Sequence, residues 1–438
     1  MVEGQARFDF NEPDVAVAAP QSSVKEARSG SFGDNMKQPL HRWFRYSAGF
    51  SADWASRVIS ERRPRQVLDP FCGSGTTLLA ADANMTPSVG FESHPFVSRI
   101  AAAKLRWDVP VAELDNDARR VLATAREMVA PLGENVSELL LKCFTEDNLK
   151  KLTALKAALA SMWDELQPNN RELLWLTVTA ILRTVSHVGT AQWQYILPNK
   201  RKSKSADAFN AFDEKAREIC ADLVYAQQRW GEPRGRLLRH DARYPSQDIA
   251  PGSVDLVVTS PPYPNNYDYA DATRLEMTFW EEISGWGDLQ QAVRQYIIRS
   301  CSQHAAAERL RLDALLSNPA VDAIRDELSA VCTELDVVRQ TKGGRKTYHT
   351  MVAAYFVDLA KTFQTLRPLC GSEAEMCFVV GDSAPYGVYV PAEIWLGQLA
   401  KAAGFDGYRF EKLRDRNVKW KNRKHDVPLH EGRLWIQG

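Results

Sequence analysis

The stretch that most constrains this chain runs from Gln66 to Ala83. Gln66-Val67-Leu68 reads as the end of a buried strand, Asp69 to Thr77 spells D-P-F-C-G-S-G-T-T, and Leu78 to Ala83 continues as a small-residue helix. A strand that turns through Gly-Ser-Gly straight into a helix lets the backbone approach a ligand closely. The helix start also offers N–H groups with no partner inside the helix. Ser88 to Glu92 then reads as a second strand ending on an acid, followed by a helix through Lys104. Together these predict a βαβ unit, and hence a parallel sheet with helices packed on it. A bare Gly-x-Gly turn is common in loops that bind nothing. The whole string, with Glu92 placed where a carboxylate can accept from ribose hydroxyls, points to a nucleotide-like cofactor.

A second constellation lies far along the chain. The apolar strand Val254 to Val258 runs directly into Thr259-Ser260-Pro261-Pro262-Tyr263. Two consecutive prolines fix φ and remove two donors, so the carbonyls of Ser260 and Pro261 are left as acceptors without regular ladder partners. Rigid acceptors beside an aromatic ring suit a flipped nucleic-acid base, which needs a face to stack on and partners for its amino hydrogens. The bland alternative is a strand-ending turn with Tyr263 packed in the core.

Between and around these motifs the pattern divides the chain. Residues 1–35 are rich in Ala, Ser, Gly, Pro and charge without sustained period, which predicts a disordered tail. Residues 36–104 form the Gly-rich part, opening with the aromatics Trp43, Phe44, Tyr46, Phe50 and Trp54 and a short helix capped by Ser51. Residues 105–234 are dominated by helical period and read as an insertion, a natural place for target recognition. Residues 235–288 carry strands ending at Asp241 and at the proline corner, 289–346 form a second helical insertion, and 347–438 return to strand and helix.

Composition bounds the setting. Of 438 residues, 45% are hydrophobic and 25% charged, with no apolar run long enough to cross a membrane and no secretory leader pattern, so a cytoplasmic protein is expected. Seven cysteines without a C-x-x-C pair argue against a disulfide framework and a structural zinc site. Cys72, inside the turn, reads as packing. The formal net charge is zero, so phosphate attraction must be local. The candidate patches are Lys200, Arg201, Lys202 and Lys204, and a C-terminal group including Arg416, Lys419 and Lys421; either reads equally as a solvated loop. Trp193, Gln194 and Tyr195 lie beside the first patch.

With both motifs in view, the chain resembles the S-adenosylmethionine-dependent DNA amino-methyltransferases that act on N4 of cytosine or N6 of adenine. The resemblance rests on Asp69 to Thr77 and Ser260 to Tyr263, and extends to the segment Leu40 to Ile59, to Asp241 and to the ending L-H-E-G-R-L-W-I. It implies an α/β, Rossmann-like methyltransferase sheet with helices on both faces and helical insertions. It implies cofactor contacts from Asp69, Pro70, Phe71, Gly73, Gly75, Thr76, Thr77, Glu92 and Asp241. It also implies a catalytic set of Ser260, Pro261, Pro262 and Tyr263: the Ser260 side chain and Pro261 carbonyl accept from the amine, and Tyr263 stacks on the base. No metal is implied. The implied partner is duplex DNA with one base flipped out, in a restriction-modification or phage-defence setting that can include a nuclease. Serine at the first motif position resembles the cytosine-N4 enzymes. An adenine-N6 enzyme, an RNA base methyltransferase and a silent cofactor-binding subunit stay open as alternatives. Methylation at cytosine C5 would need a Pro-Cys nucleophile, and no cysteine here follows a proline.

Overall fold

A computed structural model describes residues 32–191, 195–265, 267–307, 310–416 and 427–438. The tail expected before residue 35 lies almost wholly outside them, as do Trp193, Gln194, Lys419 and Lys421.

Nine strands are described: β1 (Val67–Asp69), β2 (Ser88–Phe91), β3 (Val188–Thr190), β4 (Ile196–Arg201), β5 (Gly235–Leu238), β6 (Val254–Thr259), β7 (Cys370–Gly381), β8 (Gly407–Arg416) and β9 (Leu429–Gln437). Seven form one sheet in the order β5-β2-β1-β6-β7-β9-β8. β5, β2, β1, β6 and β7 run parallel, whereas β9 is antiparallel to both β7 and β8. Chain order reverses between β1 and β6, the switch point at which open α/β sheets bind ligands.

Parallel strands buried on both faces need apolar residues at successive positions, and this sheet meets that need by strict alternation. Val67, Leu256, Val258, Cys377, Val379 and Trp435 face the helices Ala52–Arg62 and Thr76–Ala83. Leu68, Val257, Met376, Phe378, Leu434 and Ile436 face the helices Tyr348–Leu366 and Ala392–Ala402. The expected α/β sheet with helices on both faces is therefore what forms.

The two helical insertions attach differently. In the first, the helices Val111–Glu127, Glu146–Ser161, Pro168–Val185 and Ala208–Gln227 share a separate core with Phe96 and Ile100 of the helix Pro95–Lys104. In the second, Val321, Ile324, Leu328, Cys332 and Leu335 join the core beneath the sheet, against Tyr348–Leu366. Two strand features were not anticipated. β3 and β4 form a small separate hairpin inside the first insertion, and β8 closes the sheet edge where a plain final segment was expected. All seven cysteines are buried free thiols, as the composition implies.

Candidate active site

The register of β1 beside β6, with Val67 opposite Leu256 and Leu68 opposite Val257, sets the Gly-rich turn and the proline corner at neighbouring strand ends. Asp69 then ties them together. Its fully buried carboxylate accepts from the Phe71 N–H (3.0 Å) and the Thr77 hydroxyl (2.6 Å) on its own side, and from the Thr259 hydroxyl of β6 (2.6 Å). Burial raises its pKa to about 6 against the pull of those three donors. Asp69 and Thr77 are wholly buried, so they hold the turn in shape beneath the surface a cofactor would touch. Thr259, which opens the second motif but was given no role from sequence, completes the tie.

Gly73 and Gly75 have φ of +52° and +87°, a left-handed region in which a side chain is strained. A Cβ on Gly73 would sit 2.9 Å from the Tyr46 ring, so glycine here is a matter of space as well as torsion. Gly75 caps the helix Thr76–Ala83; a Cβ there would meet Ala101 at an ordinary contact distance of 3.6 Å, so its torsion rather than space calls for glycine. Cys72 is buried against Leu78 and Ala101, and burial pushes its thiol pKa well up, in keeping with packing.

A cavity opens over this junction. Phe71, Gly73, Thr76 and Glu92 line one side, Ser260 and Pro262 the other. Tyr46, Ala48, Gly49 and Phe50, from the aromatic segment ahead of the turn, roof it. That segment is anchored from the first insertion. Asp222 accepts from the Leu40 N–H (3.1 Å) and the Trp43 indole (2.9 Å), and pairs with Arg42 (2.6 Å). The buried Lys104 amine adds bonds to the carbonyls of His41 (3.1 Å) and Ser74 (3.3 Å); burial lowers its pKa to about 7.

Glu92 accepts from the Gly73 N–H (2.8 Å) and the His94 N–H (2.7 Å). Burial still dominates and pushes its carboxyl up to about 8. His94, by contrast, is kept neutral, its pKa lowered to about 3 by burial. Three lining elements carried no sequence signal that was read: His94, Tyr269, and the pair Ile297 and Ile298. Asp241 does not share this cavity. It lines an adjoining recess with Arg239, His240, Tyr244 and Tyr296, which meets the first at Ser93, and its carboxylate pairs with Arg243 (2.6 Å).

At the proline corner the Ser260 hydroxyl donates to the Val379 carbonyl (3.3 Å). Tyr263 is almost fully buried and its ring lies under the Arg416 guanidinium, 5.2 Å from the ring centre. Arg416 also donates to the Asp382 carbonyl (2.7 Å). It belongs therefore to the wall beside Tyr263 rather than to an open basic patch. The other patch is split as well: Lys200, Arg201 and Lys204 are exposed, whereas Lys202 donates to the carbonyls of Arg183 (2.6 Å) and Ser186 (3.2 Å). Tyr195 is an interior contact, its hydroxyl accepting from the Asp268 N–H (2.6 Å).

No family model matches the chain. The type II methyltransferase M.BsoBI of Geobacillus stearothermophilus is 23% identical over 432 aligned positions, spanning 88% of this chain and 82% of the relative. The type II methyltransferase M.AvaI of Nostoc sp. is 23% identical over 410 positions, spanning 86% and 81%. The chain is an S-adenosylmethionine-dependent methyltransferase. Among solved structures, the rRNA methyltransferase aviRa from Streptomyces viridochromogenes matches 94% of each chain at 10% identity, with a TM-score of 0.26, too low to carry an argument. The methyltransferase's own cavity fits its cofactor on chemical grounds. A helix N-terminus and a buried carboxylate suit the polar ends of a nucleoside, Phe71, Phe50 and Tyr46 offer apolar surface, and glycine backbone replaces side chains where space is least. Among the described residues no helix is long and apolar enough to cross a membrane.

Proposed function

We propose that this methyltransferase modifies the exocyclic N4 amine of cytosine at specific sites in duplex DNA, with the target base flipped out of the helix. The observation that carries this reading is the shared cavity: Phe71 and Gly73 face Ser260 and Pro262 across a single opening at the switch point of the sheet. The likeness to two type II methyltransferases over most of the chain supports DNA as the substrate. Serine at position 260 favours cytosine over adenine.

An exocyclic amine is a poor nucleophile because its lone pair is delocalised into the ring. The Ser260 side chain and the Pro261 carbonyl accept its hydrogens and return electron density to nitrogen, while Tyr263 stacks on the base. Bound S-adenosylmethionine supplies an electrophilic methyl group. Phe71, Gly73 and the backbone ahead of Thr76 would hold that end of the cofactor, Glu92 would take the ribose hydroxyls, and Asp241, in the adjoining recess, would contact the adenine. Alignment of the two reactants contributes on the order of 7–11 kcal/mol, against a flipping cost of a few kcal/mol. Lys200 and Arg201 at the end of the outer hairpin, and Lys204 just beyond it, are available to phosphates, and the first insertion is the region for target recognition. A restriction-modification or defence role in the cytoplasm, beside a partner nuclease, agrees with this chemistry.

Mass spectrometry of nucleosides after incubation with labelled cofactor tests the reading, with duplex DNA and total RNA in separate arms. Labelled N4-methylcytosine in DNA is expected. N6-methyladenine would reassign the base, label confined to RNA would overturn the substrate, and bound cofactor without transfer would mark a silent subunit.

A further inference from the structure

Outside the cavity, the segment following the proline corner meets the segment following Ile297 and Ile298. The Asn265 N–H donates to the Ser300 carbonyl (2.8 Å), and just beyond lie Asp268, Cys301 and His304. These three are buried, at 4%, 4% and 0% exposure, and one ligand atom of each lies within 4.8 Å of the others. Cys301 and His304 form a C-x-x-H pair at the start of the helix Ser302–Ala307, so both side chains leave the same turn.

The imidazole is the unusual member. Neither ring nitrogen of His304 makes a hydrogen bond of normal length among the described residues; the fully buried ring instead faces the Asp268 carboxylate and the Cys301 thiol at longer range. An unsatisfied buried polar group is costly and calls for an explanation such as an ion. Its Nε2 stands 3.8 Å from Asp268 Oδ1, too long for a hydrogen bond. That spacing is close to the edge of a tetrahedron, about 3.3 Å for metal–nitrogen and metal–oxygen bonds of about 2.0–2.1 Å. Arg294 donates to the other carboxylate oxygen, Oδ2 (3.0 Å from Nε), and Oδ1 accepts one hydrogen bond among the described partners, from the Ala270 N–H (3.1 Å), with a second lone pair to offer. One carboxylate oxygen is thus left facing His304 and Cys301.

We propose that Asp268, Cys301 and His304 bind one zinc ion, which staples the strand-end segment carrying Tyr263 to the segment carrying Ile297 and Ile298. One sulfur, one nitrogen and one oxygen donor suit zinc rather than magnesium or calcium, with water completing four-coordination. Cys301 binds as the thiolate. The site is structural: it holds two lips of the cavity together and takes no part in methyl transfer. A second carboxylate–histidine cluster, Asp382, Glu393 and His430, differs in the decisive respect. There the imidazole already meets Asp382 at Nδ1 (3.0 Å) and Glu393 at Nε2 (3.0 Å), so the ring is occupied at both nitrogens.

The test is metal analysis of the full-length protein, purified without chelator and after reconstitution with zinc, followed by cobalt titration of the metal-free protein. Expected are one zinc per chain and a thiolate-to-cobalt charge-transfer band. Cys301→Ser should remove that band and His304→Ala the stoichiometric zinc, while His430→Ala keeps both. Circular dichroism identifies any variant that fails to fold, and the wild-type cobalt spectrum then decides alone. Sub-stoichiometric zinc after reconstitution, no charge-transfer band in the wild type, or zinc retained in both folded ligand variants would overturn the proposal. None of these readouts depends on the substrate, so the outcome is separate from that of the methylation assay.

Discussion

The two sides of the cavity are built by different means. On the Gly-rich side, recognition is mostly backbone and buried carboxylate: Gly73 at φ +52°, the helix start at Thr76, and Glu92 holding two N–H groups. On the proline side it is side chain and ring: Ser260 and Pro262 line the cavity, and Tyr263, covered by Arg416, is buried behind them. Backbone sites are insensitive to conservative side-chain changes but intolerant of added bulk. Side-chain sites reverse that. The two sides should therefore fail separately when mutated, except where one residue serves both.

Asp69 is that residue, and its loss should produce the largest effect. Asp69→Ala strands the Phe71 N–H and the Thr259 hydroxyl in the interior, at about 1–3 kcal/mol for each unsatisfied group. Chemical denaturation should show that loss, and calorimetry and turnover should show cofactor binding and activity falling together. If only one of them falls, the carboxylate does not link the motifs.

Tyr263→Ala separates the sides. Base–aromatic stacking is worth about 1–3 kcal/mol, so kcat/KM should drop by roughly tenfold to a hundredfold while the cofactor Kd stays within about twofold. A Kd that rises as much as turnover falls would place Tyr263 in the cofactor's support instead. Gly73→Ala should act in the opposite sense. A left-handed alanine costs about 1–2 kcal/mol, and its Cβ would press on Tyr46. Cofactor affinity is expected to weaken about tenfold or more, with the turnover of the saturated enzyme much less changed.

How much of this was legible in the sequence follows the same division. The βαβ unit and both motifs were readable because strand period, turn glycines and consecutive prolines are local signals. The short helix expected after Ser51 is found as Ala52–Arg62, with the Ser51 hydroxyl accepting from the Trp54 N–H (3.3 Å). The hairpin of β3 and β4 was missed because its outer strand, I-L-P-N-K-R, grows steadily more exposed and shows no apolar alternation. β8 was missed because an edge strand carrying Arg409, Glu411, Lys412, Arg414 and Asp415 reads as a charged loop; such charge also protects a free edge from pairing. Ile297 and Ile298 reach the site only through tertiary packing, as does the bond from Thr259 to Asp69, and Arg416 looked like one of a basic run until β8 laid it across Tyr263.

Glu92 offers the finest probe of the comparison, because it acts through charge rather than bulk. Burial raises its carboxyl pKa to about 8 in the free protein, above the 4.5 of an exposed glutamate. The neutral form is thus favoured by folding: its contribution to stability is fully present below about pH 4.5 and is lost as pH rises through 8. Cofactor binding should run the other way, since the carboxylate is the better acceptor for ribose hydroxyls and a nearby cationic sulfonium favours it further. The cofactor Kd is therefore expected to tighten about tenfold between pH 7 and pH 9, as the ionised fraction climbs, with a proton released on binding. Isothermal titration in buffers of different ionisation enthalpy measures both. Glu92→Gln should bind more weakly at pH 9 and show a flat profile across this range. A slope that survives in that variant would assign the titration to another group, with Lys104, near pH 7 behind the turn, the first to examine.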